Sequence, residues 1–218
     1  MNSGRRSHSV RMMRPTRPPV RRALTLLELL LALSISALVA GSLVAMLDAV
    51  AVGTTRRGDI RSTLVVAGGI TTRLNAYVTP SNALLDATED GFVLWFNDDR
   101  SGGTVHGTEI RWFEFDESTG QLFVAWIAFP DTWSKVVRDL EDGEYTPGSD
   151  WSLVRRKYED AGHIIESPVA EGLAGLRVLV PDDVPTASRF SVELDFTTSA
   201  SAITLTPAFS IDTHRAPQ

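Results

Sequence analysis

The chain has 218 residues, 43% of them hydrophobic, and no cysteine. Disulfides, thiolate metal sites and cysteine nucleophiles are therefore excluded. The formal charge of -6 hides an asymmetry: residues 1–23 hold seven arginines and no acid, and the remainder carries 14 basic residues against 27 acidic, a net -13.

The arginines (Arg5, Arg6, Arg11, Arg14, Arg17, Arg21, Arg22) stand just before an apolar run. A cationic flank of this kind stays cytoplasmic and sends the following chain across the membrane. As a nucleic-acid arm it would be joined to a body that repels phosphate, so no nucleic-acid partner is expected. Leu29 to Leu47 is 19 residues without a charge. As a helix it would span roughly 28 Å, about one hydrocarbon core. Ser34, Ser36 and Ser42 are tolerable there because a hydroxyl can bond the preceding turn.

One residue does not suit a plain apolar segment. Glu28 opens the run, and an ionisable group in hydrocarbon costs roughly 2.5–3.5 kcal/mol, so it calls for a function and a partner. Three readings compete. A secretory signal has a shorter, uncharged core and a small-x-small cleavage site; here Leu38 spoils the best site, after Ala40. The pair Arg21-Arg22 is a weak twin-arginine match. A plain single-pass anchor leaves Glu28 unexplained, unless it sits at the interface.

The third reading takes the residues together. Ala23-Leu24-Thr25-Leu26-Leu27-Glu28-Leu29-Leu30 resembles the cleavage motif of type IV prepilins and type II secretion pseudopilins. The resemblance implies a cut between Ala23 and Leu24, N-methylation of Leu24, and Glu28 as the fifth mature residue. By the same analogy the Glu28 carboxylate pairs with the freed amine at Leu24 of a neighbouring subunit, which would fix register. Ala23 stands where glycine is usual and Leu24 where phenylalanine is usual; the proline common near mature position 22 is replaced by Ala45. The partners implied are a prepilin peptidase, other pilin or pseudopilin subunits, an inner-membrane assembly platform and membrane lipid. The implied place is the bacterial inner membrane or a filament growing from it, with the leader cytoplasmic and the carboxy-terminal domain extracytoplasmic.

Four segments are expected: a basic leader (1–23), a transmembrane helix (24–53), its amphipathic continuation (54–79) and a β-rich domain (80–218). Ile60, Leu64, Ala67, Thr71, Leu74 and Val78 recur at helical spacing, which predicts one helix from about Leu24 to Val78, ended by Thr79-Pro80. Such a helix would join anchor to domain rigidly. Strands are predicted at Phe92–Asn97, Glu109–Phe115 and Gln121–Phe129, the last two joined by the turn Asp116-Glu117-Ser118-Thr119-Gly120. Ile110, Phe113 and Phe115 do not alternate cleanly, which predicts burial on both faces or a bulge. Residues 130–150 read as a long loop with a short helix at Lys135–Leu140. Trp151–Tyr158 reads as a strand and Val169–Leu173 as a turn or short helix. Leu176–Val180, Arg189–Phe196 and Ala202–Thr206 read as late strands, and His214–Gln218 as a frayed tail. The order predicts an α+β fold, a long N-terminal helix on a mostly antiparallel sheet.

Residues 45–50 (Ala-Met-Leu-Asp-Ala-Val) and 169–178 (Val-Ala-Glu-Gly-Leu-Ala-Gly-Leu-Arg-Val) are similar to segments of J-type minor pseudopilins and W-type minor pilins. That likeness, the large domain and its acidic surface imply a minor subunit. No catalytic site is legible: His8, His106, His163 and His214 lack ligand spacing, there is no nucleophile elbow, and no cofactor or metal is expected. Asp98-Asp99 beside Asn97 is the acid pair best suited to calcium; the others read as solvated. Trp95, Trp112, Trp126 and Trp151 read as core, with Trp133 in its loop as a contact for another subunit. The expectation is a non-enzymatic filament subunit. The competing class is an anchored extracytoplasmic binding domain that never polymerises.

Overall fold

A computed structural model of the chain describes residues 25–100, 103–184, 186–198 and 201–215, with the side chains of 54–59 left out. The fold is α+β. Its first element is the helix α1 (Leu26–Val78). The chain divides into two units, Met1–Ala51 and Val52–Gln218.

In the first unit every described residue is exposed. Two serines return their hydroxyls to the helix backbone: Ser34 Oγ donates to Leu30 O and Ser42 Oγ to Val39 O, each at 2.8 Å. The hydroxyls are thereby satisfied without water. The stretch Leu26–Gly53, with mean hydropathy 2.3, is long and apolar enough to cross a membrane. A membrane anchor and a signal sequence both have this character.

Among the described residues the second unit contains the carboxy-terminal part of α1 and eleven strands: β1 (Ser81–Ala87), β2 (Gly91–Phe96), β3 (Val105–His106), β4 (Ile110–Asp116), β5 (Gln121–Ile127), β6 (Glu144–Tyr145), β7 (Ile164–Ala170), β8 (Gly175–Leu179), β9 (Arg189–Thr197), β10 (Ala202–Leu205) and β11 (Ala208–Ser210). Two further helices, α2 (Lys135–Glu141) and α3 (Trp151–Asp160), interrupt them. The main sheet is antiparallel, in the order β1-β2-β4-β5-β7. A second sheet is centred on β9, which pairs with β8, β10 and β11. β3 and β6 form a small ribbon.

Both faces of the main sheet are covered. On one face Ala67, Ile70, Leu74 and Val78 of α1 join Leu84, Phe92, Phe113, Leu122 and Val124, together with Phe190, Val192 and Leu194 of the second sheet. Phe92 stacks on Phe113 with ring centroids 4.5 Å apart. On the other face Ala83, Val93, Trp95, Ile110, Trp112 and Ala125 pack with Trp151, Val154 and Tyr158 of α3. Double coverage explains why apolar residues fail to alternate in β2 and β4. Arg155 of α3 also pairs with Glu114 of β4 and Glu166 of β7.

Several elements differ from the sequence reading. Trp151–Asp160 is a helix and not a strand. Asp150 caps it, accepting from Leu153 N at 3.0 Å, and Trp151, Val154 and Tyr158 fall on its one buried face. Val169 and Ala170 end β7 instead of starting a turn; Pro168 is accommodated because β7 is an edge strand. β1 was not expected. The buried stripe of α1 is Thr63, Ala67, Ile70, Leu74 and Val78, so the predicted stripe is out of phase at its start, where Ile60 and Leu64 are exposed. The tail is held through Arg215: its N–H donates to Asn82 O at 2.8 Å and its guanidinium meets Asp98 at 2.8 Å. Residues 216–218 of that tail lie outside the described residues.

The predicted β4–β5 hairpin is present, with Asp116 paired to Gln121. Gly120 has φ +65 and donates its N–H to Asp116 O at 2.8 Å. A Cβ there would lie 2.6 Å from Leu173 O, so both the turn and the close approach require glycine. Hydrogen bonds from Ser118 and Thr119 hold the Asp116 carboxyl below its usual range.

Leu74 is fully buried between α1 and the sheet, whereas Val65 is 70% exposed. Leu74→Ala should cost about 2–5 kcal/mol in urea unfolding, with Val65→Ala close to wild type. Equal effects would contradict this packing.

Candidate functional site

The candidate site is the start of α1. Thr25 precedes the first helical residue, Leu26, and Glu28 lies three residues after Thr25. The Thr25 N–H donates to Glu28 Oε2 at 2.9 Å, and the Thr25 hydroxyl donates to the same oxygen at 3.1 Å. In return Glu28 N–H donates to Thr25 Oγ1 at 3.3 Å, and Leu29 N–H to Thr25 O at 3.2 Å. This is a capping box: a Thr and a Glu three apart satisfy each other's backbone donors at a helix start. A carboxylate here also meets the positive end of the helix dipole.

Glu28 therefore has a local partner that the sequence reading did not assign. The signal was legible as Thr25-x-x-Glu28 ahead of an apolar run. Ala23 and Leu24, the expected cleavage and methylation residues, lie outside the described residues. A carboxylate has about four lone-pair sites, so the bonds from Thr25 leave capacity for another cation.

A second polar cluster gathers around Glu109, which is buried at the end of a 3-10 turn (Gly107–Glu109). Its carboxylate accepts from the Trp95 indole at 3.0 Å, the Asp99 N–H at 3.0 Å, the Arg100 N–H at 3.2 Å and the His106 N–H at 3.2 Å. Nearby, Asp142 accepts from Thr108 N–H and hydroxyl and pairs with Arg100 at 3.0 Å. Tyr158 OH accepts from Gly143 N–H and the Tyr145 hydroxyl and donates to Glu141 O. The sequence offers no local signal for this cluster, because its members lie on separate loops and helices. Four donors occupy the Glu109 carboxylate, so what it does chemically is fasten two loops to the sheet.

Among the described residues no group of three or more His, Asp or Glu is placed to hold a metal ion. The acid pair beside Asn97 has other partners: the Asp98 carboxylate meets Arg215, and the backbone N–H of Asp99 donates to Glu109. Trp95, Trp112 and Trp151 are buried as expected, while Trp126 and Trp133 are only partly so. Trp133 stacks on Phe129 at 5.6 Å, with His163 edge-on at 5.0 Å.

No protein-family model, curated protein or solved structure matches this chain.

Burial pushes the Tyr158 hydroxyl up to about 12. A raised pKa in the folded state gives stability that is complete below the unfolded value near 10 and lost as pH rises toward 12. Urea midpoints should therefore be insensitive to this group below pH 10 and fall between pH 10 and 12. Tyr158→Phe should be less stable but lack most of that fall; an unchanged pH profile would contradict the assignment.

Proposed function

We propose that the chain is a non-enzymatic filament subunit of the type IV pilus or type II secretion kind. It is inserted with its arginine leader in the cytoplasm, cut between Ala23 and Leu24 by a prepilin peptidase, methylated at Leu24 and assembled through α1. Its partners are other pilin or pseudopilin subunits and an inner-membrane assembly platform. The observation that carries this reading is the position of Glu28. It opens an exposed apolar helix, five residues after the small residue that closes an arginine-rich leader.

The capping box refines the role of Glu28. Before cleavage the carboxylate is stabilised by Thr25 at the head of the helix. Cleavage would create a charged amine one residue before Thr25, within reach of the same carboxylate in a neighbouring copy. Glu28 would then serve first as a helix cap and afterwards as an anion for the neighbour.

A second reading has one observation in its favour. The box alone gives Glu28 a structural role, so the chain would also be coherent as a single-pass anchor carrying an extracytoplasmic binding domain.

Two measurements separate the readings. The filament reading expects the mature protein to begin at Leu24; an intact Met1 would favour the plain anchor. A capping box accepts Gln as well as Glu, but only a carboxylate pairs with an ammonium. Glu28→Gln should therefore preserve membrane insertion and folding while lowering incorporation into filaments at least tenfold. Wild-type incorporation of Glu28→Gln would leave capping as the residue's whole role.

A further inference from the structure

The helix α2 is oriented against the usual rule for a surface helix, which turns its apolar side inward. Its polar residues make its contacts with the domain: Asp139 pairs with Arg100 at 2.9 Å, and Arg138 lies 3.7 Å from Asp131, while Lys135 pairs with Asp139 within the helix at 3.2 Å. Its apolar residues face out. Val136 and Leu140, one turn apart, are 77% and 82% exposed, Val137 is 41% exposed, and no residue of α2 is buried. A single exposed apolar side chain is ordinary. Three in seven residues, on a helix whose contacts are polar, form a patch prepared for a partner.

The charge around the patch identifies the occupant. Residues 130–150 hold six acids and two bases, a net -4. Within the acidic body, Val52–Val78 of α1 is the opposite: four arginines and one aspartate, a net +3. That segment exposes Ile60, Arg61, Leu64 and Val65 on a strip that borders the buried Ala67, Ile70 and Leu74. A Cβ on Gly68 would meet nothing within 4 Å, so a neighbour can approach the helix closely there.

We infer that α2 of one copy docks on the basic strip of α1 in a second copy. Val136 and Leu140 cover Leu64 and Val65, and Glu141 faces Arg61. The two surfaces differ, so the contact is heterologous: each copy keeps a free α2 and a free strip at opposite ends, and the contact propagates. The inference rests on the filament reading in one respect, that copies stand side by side in one membrane or filament.

Because the chain has no cysteine, cross-links report this contact directly. Full-length chains carrying Leu140→Cys and full-length chains carrying Val65→Cys are co-expressed with distinct tags and oxidised in the membrane. Both positions are exposed, and a wild-type urea midpoint confirms folding. The mixed cross-link is expected to exceed the Leu140→Cys self-link at least fivefold. It should fall at least threefold when Arg61→Glu is added to the Val65→Cys chain, and recover when Glu141→Arg is added to the other. Absence of the mixed link in folded protein, or indifference to the charge exchange, overturns the inference. The amino terminus is sequenced on the same sample. A Leu24 start without the mixed link rejects the α2 contact alone. An intact Met1 with the mixed link supports the contact and rejects the filament reading.

Discussion

The second unit depends on one constraint: its central sheet is apolar on both faces and must be covered twice. Trp95, Ile110 and Trp112 look to one side, and Phe92, Phe113 and Val124 to the other. At about 25 cal/mol per Å² of apolar surface, neither face can be left in water. α3 covers the Trp95 side, and the carboxy-terminal part of α1 with the second sheet covers the Phe92 side. The fold thus uses the end of a long helix as part of its core, which ties the helix to the domain by burial at Leu74 and Val78.

The start of the same helix follows a different logic. There the apolar residues are exposed and the one acid is satisfied. Thr25 and Glu28 share three hydrogen bonds, two of which satisfy backbone donors at the helix end. A cap of this kind is useful to any helix. What makes it informative is its setting, since the ordinary function of a cap and the proposed function of an assembly charge fall on the same atoms. The two roles make different demands, one for an acceptor and one for a charge.

Much of this architecture was legible in the sequence where the physics is local. A long uncharged apolar run can only be a helix if it enters lipid, and the acid-serine-glycine turn before Gln121 dictates a hairpin. Where tertiary context decides, the reading failed. Trp151, Leu153, Val154 and Tyr158 have strand-like side chains, yet the cap at Asp150 and the spacing of the buried three make a helix. Ser81–Ala87 has poor strand propensity and is a strand because β2 offers it a partner. The stripe of α1 could be placed only to within a turn, because Ile60 and Leu64 continue its period without facing the core. At the candidate site, Glu28 stood out by its cost, whereas Thr25 passed as an unremarked residue. The Glu109 cluster was illegible because its donors converge only after the loops fold.

The tie at the carboxy terminus has a consequence for how copies can meet. Thr213 hydroxyl donates to Ser81 O at 3.0 Å and Arg215 N–H to Asn82 O at 2.8 Å, so the end of the chain occupies the opening carbonyls of β1. At the opposite border of the sheet, Pro168 interrupts the row of donors on β7. One border is plugged and the other is blunted, as in sheets guarded against templating further strands. Growth of this sheet by strand addition is thereby discouraged at both borders, which favours contacts through side-chain surfaces, where sequence can dictate which neighbour is admitted.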